Sequence, residues 1–238
     1  MNRRAVLDAC VLVPYNLASL LLTLTDRDLL EPRWSGTIPE ETDRALTTKI
    51  GLDKERARRR LTLTAMQHAF PEAEVVGFEV LIEGLGCHPK DRHVLAAAFA
   101  SDADVILTFN LSDFPDNACE PHGVVAVHPE QYLLELLATD REATLQAIVE
   151  DASRRTSPPL SPSEFLARLA ATVPTFANMA HQASRRTVRS VGSPPTSSLT
   201  QPTLPWPLWL RAVTSPTRSK WRRSGGSHCF TATSTRNS

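Results

Sequence analysis

Five side chains, spread over a hundred residues, carry the chemistry worth testing first: Asp8, Glu41, Asp91, Asn110 and Asp113. All offer oxygen, and none is His or Cys. Carboxylates avoid apolar strand ends, because burying like charges together is costly. Asp8 nevertheless follows the apolar run Ala5-Val-Leu7, and Asn110 closes Asp104-Val-Ile-Leu-Thr-Phe-Asn110, with Asp113 three residues on. An all-oxygen set suits a hard cation such as Mg²⁺ or Mn²⁺. One or two such ions activate water and neutralise charge on a phosphodiester. Each residue also has a plain structural reading. Asp8 and Asp91 suit helix starts, Glu41 (or its neighbour Glu40) suits a first helical turn, and Asp113 suits a turn before Pro115.

Strands and helices must alternate to bring these positions together. Ala5 to Leu7 reads as a buried strand and Val11 to Leu24 as an apolar helix. A turn-rich link follows, with Glu31-Pro32 and Ser35-Gly36. Ile38 to Ile50 reads as a helix with acids in its first turn, stopped by Gly51. Asp53 caps a predicted helix from Lys54 to Ala69, ended by Pro71. Val75-Val76 and Val80 to Ile82 are strand-like or loop segments. Pro89 opens a helix with a broad apolar face, which places Asp91 in its first turn. Asp104 to Asn110 and Val124 to Val127 are predicted strands, and Pro129 to Ala138 a helix. This alternation implies a mostly parallel sheet with helices on both faces over residues 1–138. Such sheets bind ligands at the carboxyl ends of their strands.

Residues 139–184 read as a helical appendage. Thr139 with Glu142 suggests a capping box, Ser161 or Ser163 suggests a second cap, and Ser157 to Pro162 forms the hinge. From Arg185 to Ser238, 25 of 54 residues are Ser, Thr or Pro and none is acidic. That stretch is expected to be a disordered basic tail. The formal charge of zero hides a division, because residues 1–184 hold 17 basic and 26 acidic side chains, a net of −9. An acidic body of this kind favours a cationic partner segment over tight polyanion binding.

No apolar run approaches the roughly 18–20 residues that a bilayer span needs, and Asp8 interrupts any signal-peptide core. The four cysteines include no CxxC pair, so a reducing cytoplasm is expected. Cys87, His88, His93, Cys119 and His122 match no standard zinc spacing. His93 reads as a helix-surface histidine or a substrate contact. The run Lys54 to Arg60 suits either RNA phosphates or solvent.

The segments Val6-Leu-Asp-Ala-Cys-Val-Leu12, Glu41-Thr-Asp-Arg-Ala-Leu46, Lys90-Asp-Arg-His-Val-Leu-Ala-Ala-Ala98 and Asp104 to Pro115 resemble the four acidic motifs of PIN domains. The appendage resembles that of one subgroup of VapC-type toxins. The resemblance implies a three-layer α/β/α PIN-like fold and a Mg²⁺-dependent endoribonuclease. It further implies neutralisation by a VapB-type antitoxin, and commonly a homodimer. By motif, Asp8, Glu41 and Asp91 would hold metal. Asn110 stands where many relatives have Asp, which leaves Asp113 to supply the charge. Cys10 stands where Asn or Ser is usual. Two other readings stay open: a catalytically weakened PIN-like binding module, and a DNA-directed PIN-like nuclease.

Overall fold

The computed structural model describes residues 3–50, 63–156 and 158–190. Strand β1 (Arg3–Leu7) leads through α1 (Ala9–Leu12) and α2 (Tyr15–Asp26) to β2 (Leu30–Ser35). Helix α3 (Thr37–Ile50) follows, then α4, described over 63–69, and β3 (Glu74–Val75). The chain then crosses to α5 (Arg92–Ala100), β4 (Val105–Leu107), α6 (Asp116–Cys119) and β5 (Val125–Val127). Helices α7 (Pro129–Thr139), α8 (Arg141–Ser153), α9 (Pro162–Leu169) and α10 (Pro174–Ser190) complete it. The described strands form one parallel sheet in the order β3-β2-β1-β4-β5.

This is the expected α/β fold, and its buried strands explain why the apolar runs were legible. Ala5, Val6 and Leu7 are fully buried, as parallel strands covered on both faces must be. The strand order reverses direction at β1, with β2 and β3 laid down on one side and β4 and β5 on the other. The carboxyl ends of β1 and β4 therefore flank the switch point, where such sheets open a crevice for ligands.

Several local expectations are corrected. Val11 to Leu24 is not one helix. Pro14 takes an extended ψ of 105° and starts α2 anew, because its missing N–H and ring cannot continue α1. The link expected at Glu31-Pro32 and Ser35 is strand β2. Pro32 is tolerated because Leu30–Arg33 pairs with β1 alone, and β3 reaches only Trp34 and Ser35. Of the two segments read as strand-like or loop, Val75 ends the short strand β3, and Val80 and Leu81 fall in a 3₁₀ turn. The helix expected from Pro89 begins at Arg92, with Asp91 at its N-cap. Gly51 and the helix expected from Lys54 lie outside the described residues as far as 62.

The appendage is helical, with its own buried aromatics Phe165 and Phe176. Asp140, not Thr139, caps α8, its carboxylate accepting from Ala143 N at 3.3 Å. Ser161 forms the full capping box with Glu164. The final helix passes Arg185 and runs to Ser190, and the rest of the tail lies outside the described residues.

Candidate active site

Asp8 follows β1 directly and is 5% exposed. Its backbone N–H donates to Leu107 O at 3.1 Å, which pins the end of β1 to the end of β4. It occupies the N-cap of α1, yet its side chain makes no capping hydrogen bond. Thr108 Oγ1 donates to Asp8 Oδ2 at 2.6 Å, and the Cys10 thiol donates to the same oxygen at 3.0 Å. Hydrogen bonds to an ionised oxygen are short and strong. Among the described residues both end on Oδ2, so they fix the carboxylate without engaging Oδ1.

Asp91 shows the same pattern. It stands at the N-cap of α5 without a side-chain capping bond. Its Oδ2 lies 3.2 Å from His88 Nδ1. Burial pushes its carboxyl above the ordinary aspartate value of 3.8, and the negative charges of Asp113 and Asp8 push it further, against the pull of His88. Asp8, Asp91 and Asp113 thus share one electrostatic neighbourhood. Asp113 ends a 3₁₀ turn, Leu111–Asp113, whose backbone is tied to the Asp91 segment by His88 N–H donating to Asp113 O at 3.3 Å. Asn110 is exposed, and its backbone N–H donates to Thr108 Oγ1 at 3.0 Å.

Glu41 is held by a contact of its own. Its Oε1 lies 3.2 Å from His93 Nε2, whereas Glu40 is exposed. His93 is therefore no surface histidine, since its side chain is only 12% exposed. Two participants carried no signal of their own. Thr108 is fully buried beside Asp8, and its motif position is the only hint the sequence offers. Ser35, which closes β2, sits in what reads as a turn.

Cys10 does more than replace a usual Asn or Ser. It donates to Asp8, and it accepts from Phe109 N–H at 3.2 Å. Burial and the nearby Asp8 charge push its thiol up to about 12, so it stays protonated and keeps donating. The Cys/His set considered for zinc does not assemble, and Cys87 and Cys119 are free thiols.

Among the described residues, no three His, Cys, Asp or Glu side chains form a ready-made ligand set. Mg²⁺ does not require one. It keeps several waters and takes one or two carboxylates together with substrate phosphate. The donor chemistry fits: hard oxygens, one of them on a carboxyl raised by burial and by the charges of Asp113 and Asp8.

That raised carboxyl has a testable sign. A folded-state value above the unfolded one means that the native protein binds the proton more tightly. Without metal, the protein gains stability from Asp91 as pH falls through the raised value towards 3.8. A cation bound at Asp91 would compete with the same proton and would be lost over that window, earlier than at an ordinary aspartate. Unfolding midpoints of metal-free wild type and Asp91→Asn between neutral and acid pH check this. The wild-type gain relative to the variant is expected there, and parallel curves would contradict it.

Comparison with known proteins agrees with this fold. The chain matches the family described as "PIN domain" over residues 4–112 and that described as "VapC50 C-terminal domain" over residues 129–182. It is 39% identical over 119 residues to a Mycobacterium tuberculosis (strain ATCC 25618 / H37Rv) protein described as "Putative ribonuclease VapC50". That match covers 50% of this chain and 70% of the relative. No solved structure matches at the same stringency. Among the described residues no helix is long and apolar enough to cross a membrane. With both of these family matches and this relative, the chain belongs to the PIN-domain family, in the VapC type.

Proposed function

We propose that this chain is a divalent-cation-dependent endoribonuclease, the toxin of a VapBC-like toxin–antitoxin pair. The observation that supports the reading is that Asp8 and Asp91 stand at the starts of α1 and α5 without making a side-chain capping bond, while the charges of Asp8 and Asp113 reach Asp91.

Asp8, Asp91 and Asp113 would hold Mg²⁺ or Mn²⁺, with Glu41 and Asn110 completing the set. When bound, the ion lowers the pKa of water and screens phosphate charge. The chain's own groups do the positioning. Thr108 and Cys10 fix the Asp8 carboxylate through one oxygen. His88 holds Asp91, and a bound cation would relieve the charge repulsion that Asp91 draws from Asp113 and Asp8. No nucleophilic side chain is required. RNA would approach the carboxyl edge of the sheet, and hydrolysis would leave a 3′-hydroxyl and a 5′-phosphate. The net charge of −9 on residues 1–184 suits an antitoxin that presents a cationic segment, an arginine above all, to the acidic cluster.

The test is cleavage of a labelled RNA oligonucleotide with Mg²⁺, with Mn²⁺ and with chelator, beside the same sequence as DNA. Cleavage of RNA alone, abolished by chelator, is expected. Cleavage of DNA supports the DNA-directed alternative. Cleavage that persists in chelator would overturn the cation-dependent reading, and no cleavage at all supports a binding module.

A further inference from the structure

His93 lies in the first turn of α5, two residues beyond Asp91, and its ring bridges two elements that α5 does not belong to. On one side its Nδ1 is 2.8 Å from Ser35 Oγ and 2.9 Å from Thr37 Oγ1. Those hydroxyls are themselves 2.9 Å apart, which closes a triangle. Ser35 ends β2 and Thr37 opens α3. On the other side Nε2 faces Glu41 Oε1 at 3.2 Å. Thr37 and Glu41 are four residues apart on α3 and so share a face. The imidazole spans that face from hydroxyl to carboxylate.

The chemistry of the partners assigns the proton. A carboxylate only accepts, whereas Ser and Thr hydroxyls donate or accept. In a neutral ring the N–H therefore sits on Nε2, towards Glu41, and Nδ1 accepts from the hydroxyls. Nε2 is buried, and its approach to Glu41 has ion-pair distance without the alignment of a hydrogen bond. A buried donor left without an aligned acceptor is costly. The acceptor it faces is Glu41, and a small rotation of that flexible side chain satisfies it. The ring, clamped on its far side, sets where the carboxylate goes.

We propose that His93 is a positioning residue that orients Glu41 and ties the second acidic segment to the third. The proposal rests on the metal-dependent reading above. It gives Glu41, the one acid outside the Asp8–Asp91–Asp113 neighbourhood, a defined place beside it. Outer partners of this kind typically change metal affinity by about 10–100-fold.

The experiment is Mn²⁺ binding to the full chain, followed by electron paramagnetic resonance of the free ion, with unfolding recorded for each variant. His93→Phe keeps a ring without the donor, and is expected to weaken Mn²⁺ binding by about 10–100-fold while unfolding stays cooperative. His93→Gln, whose amide N–H reaches the Nε2 position, is expected to restore most of the affinity. His93→Phe combined with Glu41→Gln should bind no more weakly than Glu41→Gln alone, since one acts through the other. Wild-type affinity in His93→Phe, or losses that multiply in the double variant, would overturn the proposal. Should His93→Phe not fold, Ser35→Ala with Thr37→Val removes the far clamp. A weaker affinity there supports the proposal, and an unchanged one overturns it. Asp8→Asn separates this from the parent reading. If Asp8→Asn leaves Mn²⁺ binding untouched, the acidic site itself fails and His93 with it. If Asp8→Asn weakens binding but His93→Phe does not, only the role of His93 fails.

Discussion

Asp8→Asn and Asp91→Asn are each expected to reduce cation-dependent RNA cleavage by on the order of 10²–10³-fold or more, the cost of removing one group aimed at developing charge. A thousandfold loss is about 4 kcal/mol of barrier. Both substitutions are nearly isosteric. At position 8 the amide oxygen can still accept from Thr108 and Cys10, so the end of β1 stays tied to β4. At position 91 the change removes a carboxylate already pushed up by burial, Asp113 and Asp8. The metal-free Asp91→Asn protein should therefore be no less stable than wild type at neutral pH. Lost activity with retained stability is the signature that separates a reactive cluster from structural acids. Because the two carboxylates act as a unit, the double variant should lose little beyond either single one. Asp113→Asn should cost less, since Asp113 is partly exposed on a 3₁₀ turn. Initial rates on labelled RNA, beside urea unfolding, decide the matter. Undiminished cleavage in both single variants would refute the site.

How much of this was legible before folding depends on which interactions are local. Asp8 and Asn110 were readable because strand ends announce themselves through continuous apolar runs, which parallel strands require. Asp91 was readable from the apolar face of α5. The partners that fix those acids were not. Thr108 reaches Asp8 only because β1 and β4 pair in register, Leu7 beside Leu107. His93 reads as a surface residue until β2 and α3 arrive with Ser35, Thr37 and Glu41. Strand β2 itself was hidden by Pro32, Arg33 and Glu31, a composition that argues for a turn. Its strand state is imposed by β1, which pairs with it from Arg3↔Leu30 to Val6↔Arg33. Local propensity lost there to tertiary pairing, and Trp34, fully buried within β2, shows what that pairing protects.

The largest stability effect is expected at Asp151, far from the acidic cluster. This carboxylate is fully buried where α8 packs on α2. Ser19 Oγ donates to its Oδ1 at 2.7 Å and Arg155 donates to the same oxygen at 3.2 Å. Burial pushes its carboxyl up, against the pull of Arg155 and Ser19. The Arg155 guanidinium also lies over the Tyr15 ring, 4.4 Å from its centroid, and 5.4 Å from that of Phe165. Around this core Arg154 joins Thr23, Asp26 and Glu150, and Arg27 joins Glu150. The outer pairs are partly exposed and contribute little each. Asp151→Ala is different, because it strands Arg155, which is 7% exposed, without its carboxylate. Breaking one side of a buried pair costs about 3–5 kcal/mol. Asp151→Asn keeps the volume and an acceptor for Ser19, and should cost less. Replacing both partners by apolar residues, Asp151→Leu with Arg155→Met, should recover much of the loss, because desolvation of the pair is removed with it. Urea unfolding of the four proteins checks the order. Equal stability of Asp151→Ala and wild type would mean that the C-terminal helices are held to α2 by their apolar contacts alone. Since Tyr15 opens α2 just beyond Asp8 and α1, the same clamp steadies the segment that carries the first acid. Asp151→Ala should accordingly lower the temperature at which RNA cleavage is lost, without changing its cation requirement.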